Sequence, residues 1–444
     1  MRSNENNKPG CGEKIQNHHG KLLVPDHPVI PFIIGDGIGK DIWKATKPVL
    51  DTAVALAYQN QRHLHWLEVS LDKDKLDFNK AHLLKEAIKS FREYSVGLKG
   101  PLATPVGEGF RSLNVRLRHE LDLYVCMRPI TYIPGSPSPV CHPERVDMVI
   151  FRENTEDIYT GIEFEVDTKE NQALLSWLRS NYPDQYNKIR FPHSSGIGIK
   201  PISREGSQRL IRAAINYALK HQRKRLMLVH KGNIMKFTEG AFAKWGYDLA
   251  ETEFAAQVFT QRQYEEIKMA SGEENAEKYQ YNALNEGKII VNDVITDAAF
   301  EQTLTRPEFF DIIATSNLNG DFLSDALAAQ VGGLGISPGV NINLEENIAI
   351  FEATHGTAPS IAGKDIANPC SLILSGVMLL EHIGWEEAAE LVRQAITAVL
   401  QDKLVTLDFY RLLEKATLVS TTGFGQAVIK KMHNCFNETN TIEA

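Results

Sequence analysis

Paired cysteines are missing from this chain. Its five cysteines, Cys11, Cys126, Cys141, Cys370 and Cys435, are odd in number and scattered, and none belongs to a CxxC. That excludes a disulfide framework and a thiolate zinc site, and it points to a reducing, cytoplasmic compartment. Long apolar runs are missing too. The longest, Ile373 to Leu380, is interrupted by Ser375 and Gly376, so no segment reads as a membrane span. Positive charge is in deficit: 48 Lys and Arg against 56 Asp and Glu leave a net charge of -8. A sequence-independent grip on nucleic acid is excluded on that balance, although a local basic pocket for a small acidic ligand is not. Repeats and low-complexity tracts are absent. Residues 1–26 are polar and lack the apolar stretch of a secretory signal, so they read as a flexible N-terminal extension in which His18 and His19 are solvated.

What is present is length and ordinary globular composition. The chain has 444 residues, 43% of them hydrophobic, enough for a large core and more than one domain. Strand-like runs at Val29–Ile34, Val96–Lys99, Leu121–Met127, Met148–Phe151, Arg225–His230, Ile289–Val291 and Phe310–Ala314 alternate with helical patterns, which indicates α/β layering. After Gly332 the chain reads as glycine-rich loops followed by long helices, Pro369 to Ile383 and Trp385 to Leu400. The turn Gly35-Asp-Gly-Ile-Gly39 joins the first strand to a helix over Lys40–Ala57. It does not match GxGxxG, and no acidic residue closes a second strand, so it reads as a tight turn rather than a dinucleotide fingerprint.

Three arginines carry the chemistry. In Arg111–Arg118, leucines at 113, 117 and 121 would bury one helical stripe while Asn114 and Arg118 share another face, with Ser112 near the helix N-terminus. A hydroxyl, an amide and a guanidinium there can cradle a carboxylate; the plainer reading is an amphipathic surface helix with a capping serine. Arg128 and Arg152 each end a strand-like run, and open α/β sheets place ligands beyond strand C-termini. Three converging guanidiniums imply a substrate with several carboxylates. Tyr159 follows closely and can deliver a proton, or simply fill a loop. Two pairs of aspartates, Asp321 with Asp325 and Asp293 with Asp297, stand four residues apart, as on one helical face. Such pairs are usually solvated, yet beside an arginine cluster they suit a hard cation, magnesium or manganese. Lys231, after a strand, is either a solvated strand end or an acid–base group tuned by a nearby metal.

These stretches together resemble the dimeric bacterial isocitrate dehydrogenases of the β-decarboxylating dehydrogenase family. KGPLATPVGEGFRSLNVRLR, FRENTEDIYTGIE, HKGNIMKFTEGAF, NLNGDFLSDALAAQVGGLG and FEATHGTAP occur in the family's order from about residue 27 onward. The resemblance implies a non-Rossmann α/β fold. Its large, cofactor-binding domain would span 27–124 and 333–444, its small domain 125–157 and 204–332, and a clasp between subunits 158–203. It further implies that Ser112 and Asn114 meet the γ-carboxylate of isocitrate and that Arg118, Arg128 and Arg152 hold its other carboxylates. Asp321 and Asp325, with Asp297 of a partner chain, would hold the metal. Lys231, also donated by the partner, would act with Asp297 in removing the hydroxyl proton, and Tyr159 would return a proton to carbon. The active unit would be a homodimer, and Ser112 a candidate for the family's regulatory kinase.

For the cofactor, the resemblance assigns Thr104, Asn233, the loop His355, Gly356, Thr357, Ala358, then Ser360, Ile361, Asn368 and Arg411. NADP-specific members carry lysine and tyrosine directly after HGTAP and another tyrosine further on. Here Ser360, Ile361 and Leu407 stand in those places and only Arg411 of the set is kept, while Ala103 replaces a threonine. Each lost charge-assisted bond to a 2′-phosphate is worth roughly 1.5–3 kcal/mol, so the expectation is NAD, with NADP as the alternative. A sister enzyme for isopropylmalate or homoisocitrate, or a silent tricarboxylate-binding paralogue, is the competing reading. The first should differ at Ser112 and Asn114; the second should have lost Lys231, Tyr159 or an aspartate, and none is missing.

Overall fold

The computed structural model describes residues 12–18, 21–71, 80–103 and 112–442. Thr104, expected beside the nicotinamide, lies outside the described residues. Among the described residues, eleven strands build the central sheet: β1 (Val29–Ile33), β2 (His65–Glu68), β3 (Val96–Lys99), β4 (Val125–Thr131), β5 (Asp147–Glu153), β6 (Arg225–His230), β7 (Val258–Thr260), β8 (Ile289–Ile295), β9 (Ile312–Thr315), β10 (Pro338–Asn343) and β11 (Ile348–Ala353). In space they run β7-β8-β6-β9-β5-β4-β10-β11-β3-β1-β2. Strand β4 is antiparallel to β5 and β10, and β10 is antiparallel to β11. The remaining neighbours are parallel. Both faces of the middle strands are covered, which is why β3, β9 and β11 are buried at every position.

Four strands of this sheet escaped the sequence reading: β2, β7, β10 and β11. The last two lie where loops were expected. The asparagines of PGVNIN break the hydrophobic run, yet Asn341 and Asn343 are each 2% exposed. Both are satisfied inside: Asn154 Nδ2 donates to Asn341 Oδ1 at 2.9 Å, and Asn343 Nδ2 donates to the Leu121 carbonyl at 3.2 Å. A buried polar residue with partners is compatible with a core strand, and no periodicity can announce it.

The two long helices anticipated near the C-terminus are Cys370–His382 and Glu386–Gln401. The first is buried throughout Cys370–Leu380. It is a core helix, and among the described residues no helix is long and apolar enough to cross a membrane. Residues 12–18 and 21–26 are not the loose extension expected. Gln16–His18 pairs with Lys21–Leu23, Ile15 is 3% exposed, and Glu13 exchanges backbone bonds with the chain entering β1. One apolar anchor and a short ladder hold that polar segment down. Residues 158–203 leave the body as a two-stranded ribbon, Glu163–Phe164 with Ile197–Gly198, carrying helix Lys169–Asn181.

The glycine turn after β1 has a definite task. Gly37 has φ 57°, and a Cβ there would lie 1.9 Å from the Thr357 carbonyl oxygen. The next residue, Ile38, donates its N–H to that same oxygen at 3.0 Å. The turn admits the 355–359 loop, a backbone approach only glycine permits.

Candidate active site

Strands β5, β9, β6 and β8 are parallel neighbours, so their C-terminal ends open on one edge of the sheet. That edge collects the end of β5 with Arg152, helix Asn317–Gln330 after β9, Lys231 after β6, and helix Thr296–Thr305 after β8.

Arg152 is 1% exposed. Its Nε donates to Asn317 Oδ1 at 2.9 Å, its Nη1 pairs with Asp321, and its guanidinium lies 4.9 Å from the centre of the Tyr159 ring. Gly320 makes this approach possible, because a Cβ there would meet the Arg152 side chain at 2.6 Å. Tyr159 Oη donates to Asp321 Oδ2 at 2.7 Å. Burial pushes the Tyr159 phenol up to about 12; Arg152 opposes that and the bond to Asp321 adds to it. Tyr159 therefore stays protonated across the neutral range.

One helical turn on, Arg128 Nη1 donates to Ser324 Oγ at 2.6 Å and Asp325 Oδ1 at 2.9 Å. Arg118 Nη2 donates to Glu352 Oε1 at 3.1 Å, and Lys99 Nζ lies 2.7 Å from Glu352 Oε2. Burial alone would raise the Glu352 carboxyl, but Lys99 and Arg118 outweigh it and hold the group well below the usual carboxylate range. Lys99, Asn114, Arg118, Arg128, Glu352 and Thr357 line a cleft of about 370 Å³. Among the described residues, Arg118 Nε, Arg128 Nε, Arg152 Nη2 and Asn114 Oδ1 are buried without a hydrogen-bond partner. Unsatisfied buried donors on three guanidiniums are costly unless an acceptor arrives, and a compact polycarboxylate supplies several.

An adjoining cleft of about 520 Å³ shares His355 and Gly356 with the first. Ala358, Ile361 and Leu407 give it apolar walls, Asn368 donates to Asp408 Oδ2 at 3.0 Å, and Lys364 and Arg411 stand at its edge. Its size and lining suit the adenosine half of a nicotinamide cofactor. Ser360 is exposed beside it and does not line it.

The acidic residues group differently from the sequence reading. Asp293 and Asp297 do not share a helical face, because β8 continues to Ile295. Asp293 on that strand accepts from Tyr247 Oη at 2.5 Å and faces His230 Nε2 at 3.0 Å, whereas Asp297 pairs with Lys231. The Lys231 ammonium holds the exposed Asp297 carboxyl below its ordinary value. Asn233 is exposed in the turn after Lys231. Asp321 and Asp325 stand together on the helix after β9. Burial raises the Asp325 carboxyl, with Asp321 adding to this against Arg128. Two hard oxygen donors that repel each other fit a divalent cation, which would relieve that repulsion. Among the described residues, no three His, Cys, Asp or Glu side chains are arranged to hold a metal ion, so Asp297 does not complete the pair within the chain.

Ser112 directly precedes helix Leu113–Glu120, as expected. Sequence reasoning missed Lys99, Glu352, Asn317, Ser324 and Lys364. Lys99 and Glu352 were visible as the first residue of KGPLATP and the second of FEATHGTAP, but nothing local marked them as partners.

Fold and site together define an α/β protein in which an arginine-lined cleft adjoins a second cleft with apolar walls. Residues 29–428 match the Isocitrate/isopropylmalate dehydrogenase family. An isocitrate dehydrogenase [NADP] of Staphylococcus epidermidis is 54% identical over 420 residues, covering 95% of this chain and 99% of that protein. One from Helicobacter pylori is 49% identical over 434 residues, 96% and 98% of the two chains. The crystal structure of isocitrate dehydrogenase from Methylococcus capsulatus superposes with a TM-score of 0.67 at 31% identity, over 91% of this chain and 99% of that one. The chain belongs to the isocitrate/isopropylmalate dehydrogenase family.

The expectation of NAD is thereby corrected, since both relatives are named for NADP. The sequence reading counted only Arg411 as a cation at this cleft, whereas Lys364, directly after the turn at Gly363, lines it as well.

Proposed function

We propose that the protein oxidises and decarboxylates isocitrate to 2-oxoglutarate and carbon dioxide, reducing NADP. The observation that carries this is the trio of buried arginines with unpaired donors, set against Asp321 and Asp325 and adjoining the second cleft. In this reading Arg118, Arg128 and Arg152 take the α- and β-carboxylates, and Ser112 with Asn114 meets the γ-carboxylate. Asp321 and Asp325, with the partner subunit's Asp297, would hold magnesium or manganese, which would supply Lewis-acid stabilisation of the negative charge that develops during oxidation and decarboxylation.

The proton economy falls to the chain's own groups. In this reading Lys231 hands a proton to its hydrogen-bond partner Asp297 and, as the free amine, takes the hydroxyl proton as hydride leaves C2 for the nicotinamide. The carboxylate on C3 departs as carbon dioxide, and Tyr159, protonated and half-buried, returns a proton to that carbon. His355, Gly356, Thr357, Ala358, Ile361 and Asn368 would hold the adenosine end, with Lys364 and Arg411 on the 2′-phosphate.

We read the active unit as a homodimer. Lys231 and Asp297 pair away from Asp321 and Asp325, and apolar groups near them are bare: Phe237 is 92% exposed, Ile234 70% and Phe322 59%. Such side chains call for a partner surface. The 158–203 clasp adds Trp177, Tyr182 and Phe191, each more than half exposed. Initial rates with isocitrate and isopropylmalate, each with NADP and with NAD and with added magnesium, test the reading. Turnover of isocitrate with NADP supports it; turnover of isopropylmalate alone refutes it.

A further inference from the structure

Behind the catalytic side chains a single cation bridges two fully buried carboxylates. Lys200 Nζ lies 2.7 Å from Asp157 Oδ1 and 2.8 Å from Glu239 Oε1, and both acids are 0% exposed. Lys200 stands near the end of the clasp segment, where the chain re-enters the body before helix Arg204–Lys220.

Each carboxylate is fully used on its other side. Asp157 Oδ1 accepts the N–H of Ile158 at 2.7 Å, and its Oδ2 accepts the N–H of Leu318 at 2.9 Å. It thus fixes both the turn that carries Tyr159 and the start of the helix that carries Asp321. Its own backbone is left-handed, φ 68°, a conformation a non-glycine residue holds only where its surroundings impose it. Glu239 Oε2 accepts the N–H of Lys231 and Asn319 Nδ2, both at 2.7 Å, and its Oε1 accepts Ser316 Oγ at 2.8 Å. It thus fixes the strand end that aims Lys231, and the same helix start from the opposite side. Without Lys200, two buried negative charges would face each other with no cation between them, and neither turn would keep its anchor.

We infer that Lys200 is a positioning residue that locks the Tyr159 turn and the Lys231 turn of one chain into a single rigid unit, and so sets the geometry of two active sites at once. This rests on the shared-site reading above, in which one chain's Tyr159 serves its own site and its Lys231 serves the partner's. Asp157, Lys200 and Glu239 then form a physical path between the two sites of the dimer.

Hybrid dimers with one working site test it. In the first, one chain carries Lys200→Met and Arg118→Ala and its partner Lys231→Met, so the surviving site uses the Lys231 of the Lys200→Met chain. In the second, one chain carries Lys200→Met and Lys231→Met and its partner Arg118→Ala, so the surviving site uses the Tyr159 of the Lys200→Met chain. Against the same hybrids with Lys200 intact, kcat should fall by roughly tenfold or more in both, with KM for isocitrate within about threefold. Glu239→Gln, which keeps the shape and removes the charge, should give the same pattern and serves if Lys200→Met does not fold. A loss confined to one hybrid, a loss in neither, or a rise in KM with kcat unchanged overturns the assignment. Hybrids already inactive with Lys200 intact refute the shared site itself, and the link between sites falls with it.

Discussion

Replacing Lys364 or Arg411 with alanine tests the cofactor assignment at the point where it was corrected. Both residues are exposed on the rim of the second cleft. A charge-assisted hydrogen bond to phosphate is worth about 1.5–3 kcal/mol when sheltered, and exposure lowers this toward about 1 kcal/mol. At about 1.4 kcal/mol per decade, each substitution should cut kcat/KM for NADP by roughly fivefold to a hundredfold. NAD lacks the phosphate, so its kcat/KM should stay within about twofold. If both cations grip one phosphate, the double variant should fall short of the product of the single losses, because neighbours sharing a partner do not add. The assay is the initial rate of nicotinamide reduction with each cofactor at saturating isocitrate and magnesium. Equal losses with NADP and NAD would mean that the substitution disturbs the adenosine site in general. No loss with NADP for either variant would refute the argument that these cations read the phosphate.

Tyr159→Phe keeps the ring over Arg152 and removes the acidic proton, so turnover should drop by about 10²–10⁴-fold while isocitrate still binds, by kinetics and calorimetry. Parental turnover by this variant would make Tyr159 a packing residue. Glu352→Gln leaves Lys99 and Arg118 buried without their anion and should cost about 3–5 kcal/mol in chemical denaturation. Because the folded Glu352 carboxyl is depressed, its contribution is complete above the unfolded value of about 4.3 and is lost as pH falls toward the folded value, so the parent's stability should decline more steeply on acidification than the variant's. Ser112→Asp places a negative charge beside the γ-carboxylate pocket and should raise KM for isocitrate, as phosphorylation there would; an unchanged KM would remove Ser112 from the pocket.

The parts of the site legible in sequence are those whose neighbours are close along the chain. Arg152 at a strand end, Asp321 and Asp325 one helical turn apart, and Asn114 with Arg118 on one face follow from periods of 2 and 3.6. The same rule misled where the element was misjudged: Asp293 and Asp297 have helical spacing, but a strand ends between them. The cofactor reading failed in a related way. It counted cations by motif position, whereas a phosphate meets whatever charge the folded rim presents, and Lys364 arrives there only through a turn.

What stayed illegible is pairing decided by strand order. Lys99 and Glu352 are direct register partners on the parallel neighbours β3 and β11. Their ion pair exists because β11 inserts beside β3 after the chain has built the entire opposite half of the sheet. No local pattern encodes that placement. A buried carboxylate also looks unfavourable in sequence, since its burial is tolerable only with the cations that the topology supplies. The consequence for function is specific. Glu352 occupies Arg118 and Lys99 in the same cleft that Arg128 lines with a free Nε donor, so it tempers the positive charge that two arginines and a lysine would otherwise present. An arriving polycarboxylate thus meets a pocket whose net charge is set by one acidic residue from a distant strand, and whose geometry is held by the sheet rather than by the loops.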